Sequence, residues 1–142
     1  MKLLFTILLF ISHLTLFAQA DKVAGDYALT MNTKEGNVLE YKLTLSADGT
    51  FFFHHYSNIL KGIPPEKNYY GKGKWTVENN LVSFVSDKQT DLDEKHTLDF
   101  SNSKARFHTK SAKDKTDRIV KTRLQFLNSE IFWMKRIELL KV

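Results

Sequence analysis

From Asp21 onward, runs that alternate apolar and polar residues, rich in aromatic and β-branched side chains, return about every dozen residues with turn-forming residues between them. No 3.6-residue apolar period competes with this pattern. The chain is therefore expected to be all-β, with strands at 24–31, 38–46, 50–57, 69–77, 81–86, 95–100, 105–110, 118–127 and 131–140.

Several turns fix the register of their own hairpin. Asn79-Asn80 suits a type I′ turn, because Asn tolerates φ > 0, and it would oppose Val77 to Val82, Trp75 to Phe84 and Gly73 to Ser86. Asn102-Ser103 would likewise oppose Phe100 to Ala105, Leu98 to Phe107 and His96 to Thr109. Around Ala47-Asp48-Gly49, a three-residue turn with Gly49 at the left-handed position opposes Leu45 to Phe51, Leu43 to Phe53 and Tyr41 to His55. Successive strand residues face opposite ways, so Phe51 and Phe53 enter the core and Phe52 points out, whereas a two-residue turn on Asp48-Gly49 would reverse these faces.

The connections alternate in length. They are long at 32–37, 58–68, 87–94 and 111–117, and tight at 47–49, 79–80, 101–104 and 128–130. Strands of a meander reverse direction in turn, so the tight turns gather at one end and the long loops at the other. Eight or nine strands with two edges to protect favour closure into an antiparallel up-and-down barrel. An outer-membrane barrel is excluded by the expected outward positions Lys42, Thr44, Lys72, Lys74, Arg106 and Lys110, where a lipid-facing band must be apolar. The expectation is a small soluble barrel.

The first twenty residues, MKLLFTILLFISHLTLFAQA, read as a signal peptide: an early cation at Lys2, an apolar run from Leu3 to Phe17, and a small-x-small site at Ala18-Gln19-Ala20. Ser12, His13 and Thr15 interrupt a run already shorter than the ~20 apolar residues of a spanning helix. Cleavage after Ala20 leaves one domain, 21–142, exported to the periplasm or the medium. The chain has no cysteine, so it forms neither a disulfide nor a thiolate metal site. Its net charge of +5 falls to +4 without residues 1–20, which contain one Lys and no acid. The basic tract 104–123 includes Asp114 and Asp117 and lacks interleaved aromatics, so nucleic-acid binding is not expected.

The segments GDYALTM (25–31), LTLSADGTFFF (43–53) and GKGKWTVENNLVSF (71–84) resemble the strand and hairpin motifs of small bacterial lipocalin-like domains, Tyr27 standing at the aromatic position of a Gly-x-Trp start. They also resemble the N-terminal barrel of the copper-resistance lipoprotein family. That family's Cys-x-x-Cys and lipid-bearing cysteine have no counterpart here, so its metal role does not carry over. The resemblance implies a calycin-type barrel and a habit of binding apolar or amphipathic small molecules; fold alone does not imply function.

Candidate chemistry is sparse. His54 and His55 face opposite ways, and the Asn102-Ser103 register sends His96 inward and His108 outward, too few ligands for a metal. The sequence contains no nucleophile-elbow serine and no phosphate-cradling glycine loop, and Asp91, Asp93 and Glu94 sit in a polar loop. Neither an enzyme nor a cofactor is expected.

The inward rungs, however, change along the axis. Near the tight turns they are Leu45 with Phe51, Val77 with Val82 and Phe100 with Ala105. Under the long loops they become Tyr41 with His55, Gly73 with Ser86 and His96 with Thr109. Apolar floor, room at Gly73 and a few polar groups describe a ligand pocket, and Ile59 and Tyr69 from the longest connection would cover it. The leading expectation is a non-enzymatic barrel that binds a small, partly apolar molecule at this end. The alternative is a filled barrel acting as an envelope-associated interaction module, with Phe52 and the basic 104–123 face as its contact surface.

Overall fold

The computed structural model describes residues 18–142. Most of the expected signal peptide lies outside the described residues. Residues 18–23 are helical and deliver Val23, buried, to the base of a barrel. There the Tyr27 hydroxyl donates to the Val23 carbonyl.

Nine strands follow: β1 (Gly25–Asn32), β2 (Val38–Leu45), β3 (Thr50–Asn58), β4 (Glu66–Glu78), β5 (Leu81–Val85), β6 (His96–Leu98), β7 (Ser103–His108), β8 (Arg123–Asn128) and β9 (Glu138–Lys141). Eight of them close antiparallel in the order β1-β2-β3-β4-β5-β7-β8-β9, and β9 returns to β1 through Tyr27↔Lys141 and Ala28↔Leu140. This is the all-β meander barrel that the alternation predicts, and its architecture is consistent with a calycin-like fold.

The two registers set by short turns near the base form as expected. β2 and β3 oppose Leu45 to Phe51, Leu43 to Phe53 and Tyr41 to His55. Phe51 and Phe53 are 3% and 0% exposed and Phe52 is 43% exposed, so the outward assignment of Phe52 holds. β4 and β5 oppose Trp75 to Phe84 and Val77 to Val82, with Asn79 and Asn80 both at positive φ. The alternation buries one face of each strand, because a single-residue slip would turn that apolar set to water.

The third register does not form. β6 leaves the meander and pairs in parallel with the upper part of β4, Tyr70↔His96 and Gly71↔Leu98, while β7 takes the lane beside β5. Ser86 explains the corner: its hydroxyl donates to the Lys72 carbonyl and accepts from the Phe100 backbone N–H, and Ser101 Oγ binds the Ser86 carbonyl. These bonds drive the Phe100 ring into the core, where it lies over Gly71.

Removing β6 from the meander reverses the end at which later connections fall. Segments 33–37, 59–65, 86–102 and 129–137 lie at the mouth, whereas 46–49 and 79–80 lie at the base. The 109–122 connection also lies at the base, which corrects the expectation that tight turns alone close that end. The expected strand 118–127 begins only at Arg123, because Asp114 ties the preceding loop into local turns through Thr116 and Arg118. The expected strand 131–140 is a 3-10 turn at Phe132–Met134 followed by β9, with Arg136 at positive φ.

Outward positions of the wall include Lys42, Thr44, Lys74 and Arg106, all exposed, where a lipid-facing band would be apolar. Among the described residues no helix is long and apolar enough to cross a membrane.

Candidate functional site

The waist of the barrel is packed solid. Phe51 meets Phe84 and Phe100 edge-on, each at 5.2 Å between ring centroids, and Phe53 meets Phe100 at 4.9 Å. Gly71 and Gly73 are small because other atoms fill their space. A Cβ on Gly71 would stand 2.7 Å from the Phe100 ring, and one on Gly73 would stand 2.1 Å from the Val85 carbonyl oxygen and 2.9 Å from the Phe51 ring. The room expected beside Gly73 is thus occupied by β5 backbone and aromatic bulk. Ser86, its expected rung partner, has its hydroxyl committed to Lys72 and Phe100.

Toward the mouth the packing becomes a loose aromatic stack. Tyr41 and His55 overlap at 4.4 Å, Trp133 lies 4.6 Å from His55 and 5.9 Å from Tyr41, and Tyr69 lies parallel to His55 at 6.1 Å. β2, β3 and β4 place Tyr41, His55 and Tyr69, and the 3-10 turn brings Trp133 against Tyr41 and His55. His55 is buried, and its Nδ1 lies 2.9 Å from the Glu40 carbonyl oxygen. Burial lowers its pKa below the usual imidazole value, the Glu40 bond opposing in part, so the neutral ring is favoured. Burial raises the Tyr41 hydroxyl for the same reason.

Exposed apolar residues gather around this stack. Ile63 and Phe132 are 96% and 85% exposed, and Ile59, Leu60 and Tyr69 are also exposed. The 59–65 loop closes on itself through Ile59 N–H to the Pro65 carbonyl and Gly62 N–H to the Ile59 carbonyl, and Leu60 N–H is held by Asn37. It stands at the rim and leaves the covering of the mouth to Trp133.

Of the eight residues singled out in the sequence, the structure brings Tyr41, His55 and Tyr69 together and leaves Ile59 exposed in the 59–65 loop at the same end. Gly73 and Ser86 belong to the packed waist. His96 is on the outer wall with Phe52 and Tyr70, its ring 2.9 Å from both carboxylate oxygens of Asp93. Hydrogen bonds from the His96 backbone and ring hold that carboxylate well below its usual range. Thr109 sits at the base, bonded to Thr122. Both displacements follow from the missing 102–103 hairpin.

Trp133 was not singled out. Its signal was the run Ile131-Phe132-Trp133-Met134, four apolar residues without alternation, which is poor strand pattern and good plug material.

Among the described residues no group of three or more His, Asp or Glu converges as a metal site. Phe52 lies on β3 and the cations Lys104 and Arg106 on β7, with β4 and β5 between them. A groove of about 420 Å³ does exist, but on the outer wall, lined by residues of β4, β5 and β7. Comparison with protein families, curated proteins and solved structures finds no match for the chain.

Proposed function

We propose that the protein is an exported, non-enzymatic lipocalin-like barrel that holds a small, partly apolar molecule at its mouth. The observation that carries this reading is the aromatic stack of Tyr41, His55, Tyr69 and Trp133 at the end where Ile59, Leu60, Ile63 and Phe132 are exposed. The half-buried Trp133 and exposed Tyr69 offer flat apolar area and, through the Tyr69 hydroxyl and the indole N–H, polar edges, which suits an amphipathic guest. The ligand rests on this stack and does not enter the barrel, since the Gly73 level below is closed.

Titration with an anilinonaphthalene-type fluorescent probe tests this. Saturable binding that Trp133→Ala and Tyr69→Ala each weaken, with the fold retained, is the expected result; a wild-type protein that takes up no probe overturns it.

The filled axis favours a second reading, that the barrel is an interaction module presenting its rim to another protein. The two separate on the same titration, since the module binds no small apolar probe.

A further inference from the structure

We propose that the outer groove on β4, β5 and β7 is a second site, for a hydroxylated ring carrying a single negative group, that is, a uronate or a phosphosugar. The groove is floored and walled by two cross-strand rows. Thr76, Ser83 and Lys104 form one, and Glu78, Leu81 and Arg106 form the other, the ladder placing Thr76 opposite Ser83, Ser83 opposite Lys104, Glu78 opposite Leu81 and Leu81 opposite Arg106.

Its charges are arranged with a polarity. Lys104 and Arg106 stand two apart on one face of β7, exposed, and among the described residues neither joins an ion pair, whereas Lys72, Arg118 and Arg123 each do. Two unpaired cations side by side repel one another, and an anion between them relieves that repulsion. On the far side, Glu78 and the Asn79 amide offer acceptors to hydroxyl groups. The Thr76 and Ser83 hydroxyls, directly opposite one another across β4 and β5, add donors and acceptors along the middle. Leu81, half-buried and facing outward, supplies a small apolar floor under a ring's C–H face.

This combination discriminates. A free inorganic anion uses only the β7 side, and a polyanion places its next charge against Glu78. A neutral sugar leaves the cations unmatched. A ring with one anionic group satisfies both sides at once. The volume is within the range of small-molecule sites, and the groove lies on the outer wall beside the Asn79-Asn80 turn, so it is independent of the mouth.

The test is amide chemical-shift titration of the folded protein with glucuronate, glucose 6-phosphate, glucose and inorganic phosphate. Saturable shifts confined to Thr76, Leu81, Ser83, Lys104 and Arg106 with glucuronate or glucose 6-phosphate, about tenfold weaker with glucose or phosphate alone, are the expected result. The two anionic sugars tell carboxylate from phosphate recognition. Arg106→Gln, an exposed change with an unaltered spectrum elsewhere, should weaken binding about tenfold, and Arg106→Lys should restore part of it. No shift with either anionic sugar, equal shifts with phosphate alone, or binding untouched by Arg106→Gln would each overturn the proposal.

Discussion

The waist and the mouth of this barrel are both built from aromatic rings, yet they do different things with them. At the waist Phe51, Phe53, Phe84 and Phe100 surround one another, and two glycines remove side chains so that β5 backbone and the Phe100 ring can close in. At the mouth Tyr41 and His55 lie buried beneath the half-buried Trp133 and the exposed Tyr69, and only these last two rings face a rim of exposed apolar loops. A ring enclosed on all sides contributes stability, whereas a ring covered on one side keeps a surface for something else. Aromatic content by itself therefore does not locate a pocket in a small barrel; the completeness of the packing around each ring does.

The sharpest break in the comparison comes at the waist. Phe84→Ala should cost about 3–5 kcal/mol in urea denaturation, since the ring is 1% exposed and its cavity is rigidly walled. Gly73→Leu should cost about 3 kcal/mol, the upper part of the overpacking range, because the added Cβ meets the Val85 carbonyl at 2.1 Å. A cooperative, unshifted Gly73→Leu would reveal a void and erase the distinction between the regions. At the mouth Trp133→Ala should cost only about 1–2 kcal/mol, the worth of its ring contacts, while weakening probe binding.

Smaller still is the pH effect of His55. Burial lowers its folded pKa below the unfolded value of 6.5, so the unfolded chain takes the proton first as pH falls. The stability that neutral His55 contributes is complete above 6.5 and declines below it, levelling once the folded imidazole is itself protonated. His55→Phe should flatten the profile of urea midpoints between pH 7.5 and 5; an identical slope would show that the ring is freely solvated. Smallest of all, Lys74→Ala on the outer wall should change stability by less than about 0.5 kcal/mol.

The base of the barrel was legible in the sequence for a local reason. At 47–49 and 79–80 the turn residues determine the pairing of strands only a few residues away, and the apolar alternation checks that pairing independently. Asn102 also adopts positive φ and turns the chain, with Ser103 N–H bonded to the Phe100 carbonyl, yet no hairpin grows from it. Ala105 matches an apolar partner on either side, Val82 on β5 and Phe126 on β8, and Phe107 matches Leu124 on β8 as well as it would have matched Leu98. Alternation tests whether a pairing is acceptable and does not choose among acceptable ones. The choice is made by Ser86, whose hydrogen bonds join residues fourteen apart and leave no local trace. The site was legible to the same extent: Tyr41 and His55 came from a local register, His96 and Thr109 were lost with the hairpin that failed, and Trp133 arrives from a connection that no strand pattern describes.

The claim that the barrel is closed at the waist and receptive at the mouth is tested most directly by following both regions during one titration with the apolar probe. The account predicts that the Trp133 indole N–H resonance and the Tyr69 and His55 amides shift saturably while the Gly71 and Gly73 amides stay in place. Shifts at Gly71 and Gly73 with Trp133 unmoved would contradict it.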